Sequence, residues 1–241
     1  MRVLFIQHDH TSPPGLVGER FSDLGFDVVE FLVVPVERFL HPGVVVDFPE
    51  PTLFDAIVPM GAPWSVSDTT LIGSWVTPEL DLLRRADTEG VPVLGLCFGG
   101  QLLAAAHGGE VVRSTVPEVG WHVVHSDDPE FLPAGPWFQW HFDRWSMPAA
   151  AREIARNGAA SQAFVLGRNL ALQFHPELDP AMLAGWLDNG GASGLADLGY
   201  DVAALVKHTR AESADARWRA HRLVDAFLDR VANDGASTVS A

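Results

Sequence analysis

Cys97 is the only cysteine in the 241-residue chain, and its neighbours suit a reactive thiol. It lies within Gly95-Leu96-Cys97-Phe98-Gly99-Gly100-Gln101, with glycines two positions before and two after it. An apolar run, residues 91–96, leads in, and a helix-forming stretch, residues 101–106, leads out. The pattern predicts a strand, a sharp turn and a helix, with the thiol at the apex. Glycines remove the Cβ atoms that would clash in so tight a turn. The free N–H groups and positive end of the following helix favour a thiolate over a thiol.

A thiolate nucleophile needs a base, a group that orients the base, and donors for the oxyanion that develops. Residues 170–177 read Leu-Ala-Leu-Gln-Phe-His-Pro-Glu, an apolar strand that ends in His175-Pro176-Glu177. Residues two apart on an extended strand share a face, so His175 and Glu177 can point the same way. Glu177 would then accept a hydrogen bond from the imidazole or steady it indirectly. The backbone N–H of Phe98 is one oxyanion donor. The loop Met60-Gly61-Ala62-Pro63-Trp64-Ser65 can supply a second from Gly61 or Ala62.

The elements that must position these groups alternate. Strands are expected over residues 3–7, 27–34, 54–60 and 91–96, and helices over 16–24 and 78–88, the latter with Pro78 at its start, where a missing N–H costs nothing. Continuous apolar strands between helices imply a parallel sheet covered on both faces, with its loops converging at one edge. Residues 110–113, 119–125 and 137–145 look antiparallel. Gly167-Arg168-Asn169 reads as a hairpin turn between strands 163–166 and 170–174. Helices are expected over 179–188, 196–207 and 213–232, followed by a frayed tail at 233–241. Residues 1–190 are expected to carry the chemistry, and 191–241 to form a helical extension packed on the same domain.

Composition narrows the partners. With 16 basic and 31 acidic residues the net charge is −15, which repels nucleic acid phosphates and anionic membranes. A single cysteine excludes an intrachain disulfide and fits a reducing cytoplasm. No signal peptide or apolar run of membrane-spanning length is apparent. The lone lysine, Lys207, excludes a phosphate-binding Gly-Lys-Ser/Thr loop and disfavours Schiff-base chemistry. No cofactor or metal is expected.

The cysteine turn, together with the downstream Gln-Phe-His-Pro-Glu, resembles the class I, triad-type glutamine amidotransferase family, with stand-alone members similar to the glutaminase domain of GMP synthase. The resemblance runs from about residue 2 to 190 and implies a flavodoxin-like three-layer α/β sandwich with a mostly parallel central sheet, a small antiparallel addition and extra C-terminal helices. It implies Cys97 as nucleophile, His175 as general base and acid, and Glu177 as third member. Gly61, Ala62 and Phe98 would form the oxyanion hole. Gln101, Trp64, His141, Phe142 and Asp143 would contact a glutamine or γ-glutamyl substrate, and a separate synthase subunit could take the ammonia. Two positions depart from the family. Ala62 replaces a frequent second glycine and would be strained at positive φ. Phe142 stands where many relatives have glycine, and its ring could close the pocket. A free-standing γ-glutamyl peptide hydrolase and a non-catalytic scaffold are the alternatives.

Other conspicuous residues have plainer readings. His8-Asp9-His10 reads as a polar loop at the edge of the site rather than a metal set. His122 and His125 read as structural, the tryptophans of 121–145 as core with an apolar wall for a substrate as the alternative, and Gly190-Gly191 as a turn.

Overall fold

The computed structural model describes residues 1–232. Its nine-stranded sheet has the order β2-β1-β3-β4-β9-β8-β7-β5-β6. The strands are β1 (Arg2–Gln7), β2 (Asp27–Leu32), β3 (Ala56–Pro59), β4 (Val93–Leu96), β5 (Val111–Ser126), β6 (Gly135–Trp145), β7 (Arg152–Arg156), β8 (Ser161–Leu166) and β9 (Asn169–Leu172). From β2 to β9 each neighbouring pair is parallel, and from β9 to β6 each is antiparallel.

Side-chain alternation along β1 sets the layers. Val3 and Phe5 face a core shared with α1 (Gly15–Asp23) and α6 (Val202–Phe227), through Val17, Phe21, Leu223 and Phe227. Leu4 and Ile6 face the opposite core, shared with α2 (Thr69–Thr88) and α3 (Phe98–Ala106), through Ile72, Trp75, Leu82 and Leu102. The result is a three-layer α/β sandwich. A third apolar cluster lies between the β5–β6 hairpin and the segment containing α4 (Pro180–Trp186) and α5 (Ala192–Asp197). It includes Phe138, Leu183 and Leu195.

Several boundaries differ from the sequence reading. Helix α2 begins at Thr69, capped by Asp68, which accepts from the Leu71 N–H at 3.1 Å. Pro78 lies inside this helix, on its exposed face, where water can satisfy the carbonyl that proline leaves unbonded. Residues 111–113 and 119–125 belong to the single strand β5, interrupted by a register shift between Arg113 and Glu118, and Glu110 precedes it. Strand β7 has no counterpart in the sequence reading. The two helices expected over 196–207 and 213–232 are differently divided: α5 ends at Asp197, Asp201 caps α6, and α6 runs unbroken to Phe227. The tail expected at 233–241 lies outside the described residues.

Candidate active site

Cys97 joins β4 to α3 with φ 49° and ψ −101°, and it is the only non-glycine residue at positive φ among the described residues. Such a conformation persists only where the surroundings enforce it. Here the Cys97 N–H donates to the Leu172 carbonyl at 2.8 Å, and the Gly99 N–H donates to the Met60 carbonyl at 3.0 Å. The turn also requires its glycines. A Cβ on Gly95 would lie 2.6 Å from the Gly99 carbonyl oxygen, and one on Gly99 would overlap the Pro59 carbonyl. The expected strand–turn–helix is therefore present, wedged between β3 and β9.

Strand β9 stops at Leu172, so His175 and Glu177 lie in the turn beyond it rather than on an extended strand. Strand alternation is not what aligns them. The His175 N–H donates to the Phe138 carbonyl of β6 at 2.9 Å, and the Glu177 carbonyl accepts from the Leu16 N–H of α1 at 2.9 Å. Between these anchors the His175 Nδ1 faces Glu177 Oε1 at 2.8 Å, a direct contact. The ring meets Trp186 edge-on, with centroids 4.9 Å apart. Its Nε2 has no hydrogen-bond partner among the described residues. Burial alone would lower the His175 pKa. The neighbouring charges of Cys97 and Glu177, with the hydrogen bond to Glu177, outweigh it and hold the value well above the ordinary 6.5. The site thus favours an imidazolium at His175.

Both groups open onto a cavity of about 480 Å³. Gly61, Ala62, Trp64, Phe98, Gln101, His141, Phe142 and Asp143 all line it. The N–H groups of Gly61, Ala62 and Phe98 donate to no protein acceptor among the described residues, so they remain available to a ligand. Ala62 does not take a positive φ and is unstrained, contrary to the concern its Cβ raised. Phe142 does not close the cavity. Its ring lies under the Arg113 guanidinium, 4.8 Å from it, and Arg113 also reaches Asp143 at 3.5 Å.

Gln101 and His141 are turned partly inward. The Gln101 Nε2 donates to the Asp143 carbonyl at 3.2 Å, and the His141 Nδ1 lies 3.0 Å from the same oxygen. Behind them is a buried carboxylate, Glu118. It accepts from Asn157 at 2.6 Å and from Gln162 at 2.8 Å, with His141 Nε2 at 3.2 Å. Burial would raise the Glu118 pKa. Its hydrogen bond and charge contact with His141, assisted by Asn157 and His122, outweigh that effect and hold it below the ordinary value. This network fixes β5, β6 and β8 under the cavity floor.

The fully buried Gln173 places its Nε2 3.8 Å from the Cys97 sulfur. Several lining residues carry no local signal in the sequence. Arg113, Trp186, Leu195 and Leu198 reach the cavity from distant parts of the chain. Of His8-Asp9-His10, only Asp9 lines this cavity, with its carboxylate accepting from Thr11 and Ser12. His8 points both nitrogens elsewhere, and His10 packs edge-on against Phe39, so the three do not converge on an ion. Among the described residues no helix is long and apolar enough to cross a membrane.

Comparison with known proteins agrees with this architecture. Residues 44–184, more than half of the chain, match the model of the glutamine amidotransferase class-I family. A GMP synthase (glutamine-hydrolyzing) of Aeropyrum pernix is 37% identical over 141 residues, which are 53% of this chain and 27% of that protein. A γ-glutamyl-L-1-hydroxyisopropylamide hydrolase of a Pseudomonas species is 28% identical over 148 residues, 54% of this chain and 50% of that one. One of the subunits of the glutamine-hydrolyzing GMP synthase of Sulfurisphaera tokodaii is 32% identical over 162 residues, 61% of this chain and 82% of that polypeptide. The chain thus spans about a quarter of the first of these relatives and half of the second. A glutamine amidotransferase structure from Thermotoga maritima superposes with a TM-score of 0.82 at 22% identity, covering 95% of this chain and 98% of that one. That likeness extends the fold beyond the matched region, and the family match itself establishes that this chain belongs to the class I glutamine amidotransferases.

Proposed function

We propose that the protein hydrolyses the γ-amide of glutamine or of a γ-glutamyl compound through a thioester on Cys97. The observation that carries this reading is that Cys97, His175, Gly61, Ala62 and Phe98 line one cavity, with His175 paired to Glu177 behind it and the N–H groups of Gly61, Ala62 and Phe98 bonded to no protein acceptor among the described residues. The thiolate would attack the γ-carbonyl carbon. Charge developing on the oxygen would be met by the Phe98 N–H at the start of α3 and by the Gly61 or Ala62 N–H. As the C–N bond breaks, His175 would give its proton to the departing ammonia or amine. The ring would then take a proton from water as that water attacks the thioester, releasing glutamate and restoring the thiolate–imidazolium pair. Glu177 would hold the ring in place and favour its protonated form. Such chemistry suits the cytoplasm, where a lone thiol stays reduced.

Glutamate release by the purified protein tests the reading, with Cys97→Ala as the control. Release that persists in the variant would overturn it.

A specific feature favours a γ-glutamyl amide over glutamine itself. The lining of the cavity also includes the apolar side chains of Phe39, Trp64, Trp140, Trp186, Leu195 and Leu198. Departing ammonia has nothing to place against such a wall, whereas the substituent of an apolar amine would bury surface there. The relationship to the Pseudomonas hydrolase is in keeping with this. An amidotransferase subunit that hands ammonia to a separate synthase is the alternative, in keeping with the relationship to the GMP synthase polypeptide of Sulfurisphaera tokodaii. Glutamine and a series of γ-glutamyl alkylamides offered side by side separate the two. Preference for the alkylamides supports the free-standing hydrolase, and release confined to glutamine supports the alternative.

A further inference from the structure

His8 and Glu79 form an ion pair that no solvent reaches; both side chains are fully buried. Glu79 stands on the apolar face of α2, among Ile72, Trp75, Val76, Leu82 and Leu83. A carboxylate in that company is costly unless something needs it there. Its two oxygens lie 3.0 and 3.1 Å from His8 Nε2, while His8 Nδ1 lies 3.2 Å from the Gly61 carbonyl oxygen. The Gly61 carbonyl can only accept, so Nδ1 carries a proton, and Nε2 shares a second with the Glu79 carboxyl group. The ring is held in place by Trp75, stacked at 5.5 Å, and Phe98, edge-on at 4.8 Å.

The contact with Gly61 has a directional consequence. The Gly61 carbonyl and the Ala62 N–H belong to one peptide unit. No peptide bond among the described residues is cis. In a trans unit the two groups point to opposite sides. Fixing the carbonyl on His8 therefore aims the Ala62 N–H the other way, and Ala62 lines the cavity. On its other flank the loop is pressed against the site itself, since a Cβ on Gly61 would lie 2.9 Å from His175 Cε1. The same imidazole of His8 touches Phe98, whose N–H is the second unbonded donor of the turn.

We infer that His8 and Glu79 are positioning residues that hold the Gly61–Ala62 peptide with its N–H facing the cavity, as an oxyanion donor. The inference rests on the hydrolytic reading above. Positive charge behind the carbonyl also polarises the peptide, which makes the Ala62 N–H a better donor. Burial would lower the His8 pKa, but Glu79, the Gly61 carbonyl and Asp9 outweigh it, in keeping with a protonated ring.

The test separates oxyanion stabilisation from general damage. Iodoacetamide alkylates a thiolate by displacing iodide at a saturated carbon, so it builds no oxyanion. In His8→Ala, kcat for glutamate release should fall on the order of 10²- to 10³-fold, the loss typical of one oxyanion donor. KM should stay within a few-fold, and the rate of Cys97 alkylation should be unchanged. His8→Asn, whose amide can reach the Gly61 carbonyl, should recover at least about tenfold of that loss, and the near-isosteric Glu79→Gln should give an intermediate one. A crystal structure of His8→Ala should show the Gly61–Ala62 peptide rotated. Should His8→Ala not fold, the kinetic loss and the peptide orientation are read on Glu79→Gln. Equal losses of turnover and alkylation, or an unrotated peptide, would overturn the inference. Wild-type protein with no Cys97-dependent release would instead sink the hydrolytic reading, and the peptide orientation would still decide the positioning role.

Discussion

The Nδ1 of His175 and the Oε1 of Glu177 are 2.8 Å apart, and the second oxygen of Glu177 is buried with no other partner among the described residues. The carboxylate thus has one hydrogen bond, to the ring. Glu177→Gln keeps the shape but removes the charge that favours the imidazolium. Turnover should fall by roughly 10²- to 10⁴-fold, the range for a displaced or mis-protonated general base, with KM nearly unchanged. Steady-state glutamate release measures both, and a loss confined to KM would show that Glu177 serves binding instead.

Cys97 is the strongest influence raising the His175 pKa above its ordinary value. Cys97→Ala should therefore lower it, as followed by NMR titration of the ring. The same shift bears on stability. A raised folded pKa adds stability that is complete below the unfolded value near 6.5 and is lost as pH rises through the folded value. Thermal melts should show the advantage of wild type over His175→Gln fading as pH rises from about 6.5. An advantage that grew with pH would mean that the ring is neutral in the fold.

Gly61→Ala places a methyl group 2.9 Å from His175 Cε1. Either the ring or the loop must move, at about 1–3 kcal/mol of overpacking. Activity should drop far more than stability does, because ring and loop both face the cavity. Chemical denaturation beside glutamate release checks this, and equal activity in the variant would mean that the loop yields freely.

Trp140 lines the cavity and meets Trp186 edge-on at 5.7 Å. Trp140→Ala should raise KM for γ-glutamyl alkylamides by roughly tenfold or more, the scale of losing a few apolar contacts, and leave glutamine within a few-fold. Equal effects on both substrates would remove this wall from leaving-group recognition.

What the sequence makes legible is local. The Cys97 turn is written in glycines close on either side of it, and the His175–Glu177 pair is two residues apart. Even so, strand alternation does not explain that pair. It ends at Leu172, and anchors from β6 and α1 do the aligning. The place of Pro78 is ambiguous in sequence because a proline looks alike at a helix start and on an exposed helix face. The unbroken β5 is hidden by its register shift. Arg113, Trp186 and Leu198 join the cavity only through tertiary packing, which no short window encodes. Glu79 is a signal that the sequence does carry: positions 72, 75, 76, 79, 82, 83 and 86 form one buried stripe, and a carboxylate on that stripe is an anomaly that asks for a partner.

The lining of the cavity includes Trp186, Asn189, Gly190, Leu195 and Leu198, all of which follow the region 44–184 that matches the family. Part of the surface proposed to meet the departing amine is thus encoded apart from the proposed reactive groups, while Trp64 and Trp140 lie among them in sequence. Exchange of about a dozen codons could alter that part, with Trp186 kept where it packs against the His175 ring. For an engineer, the same separation makes 187–198 a cassette to randomise, with the Cys97 turn and the His175–Glu177 turn left untouched.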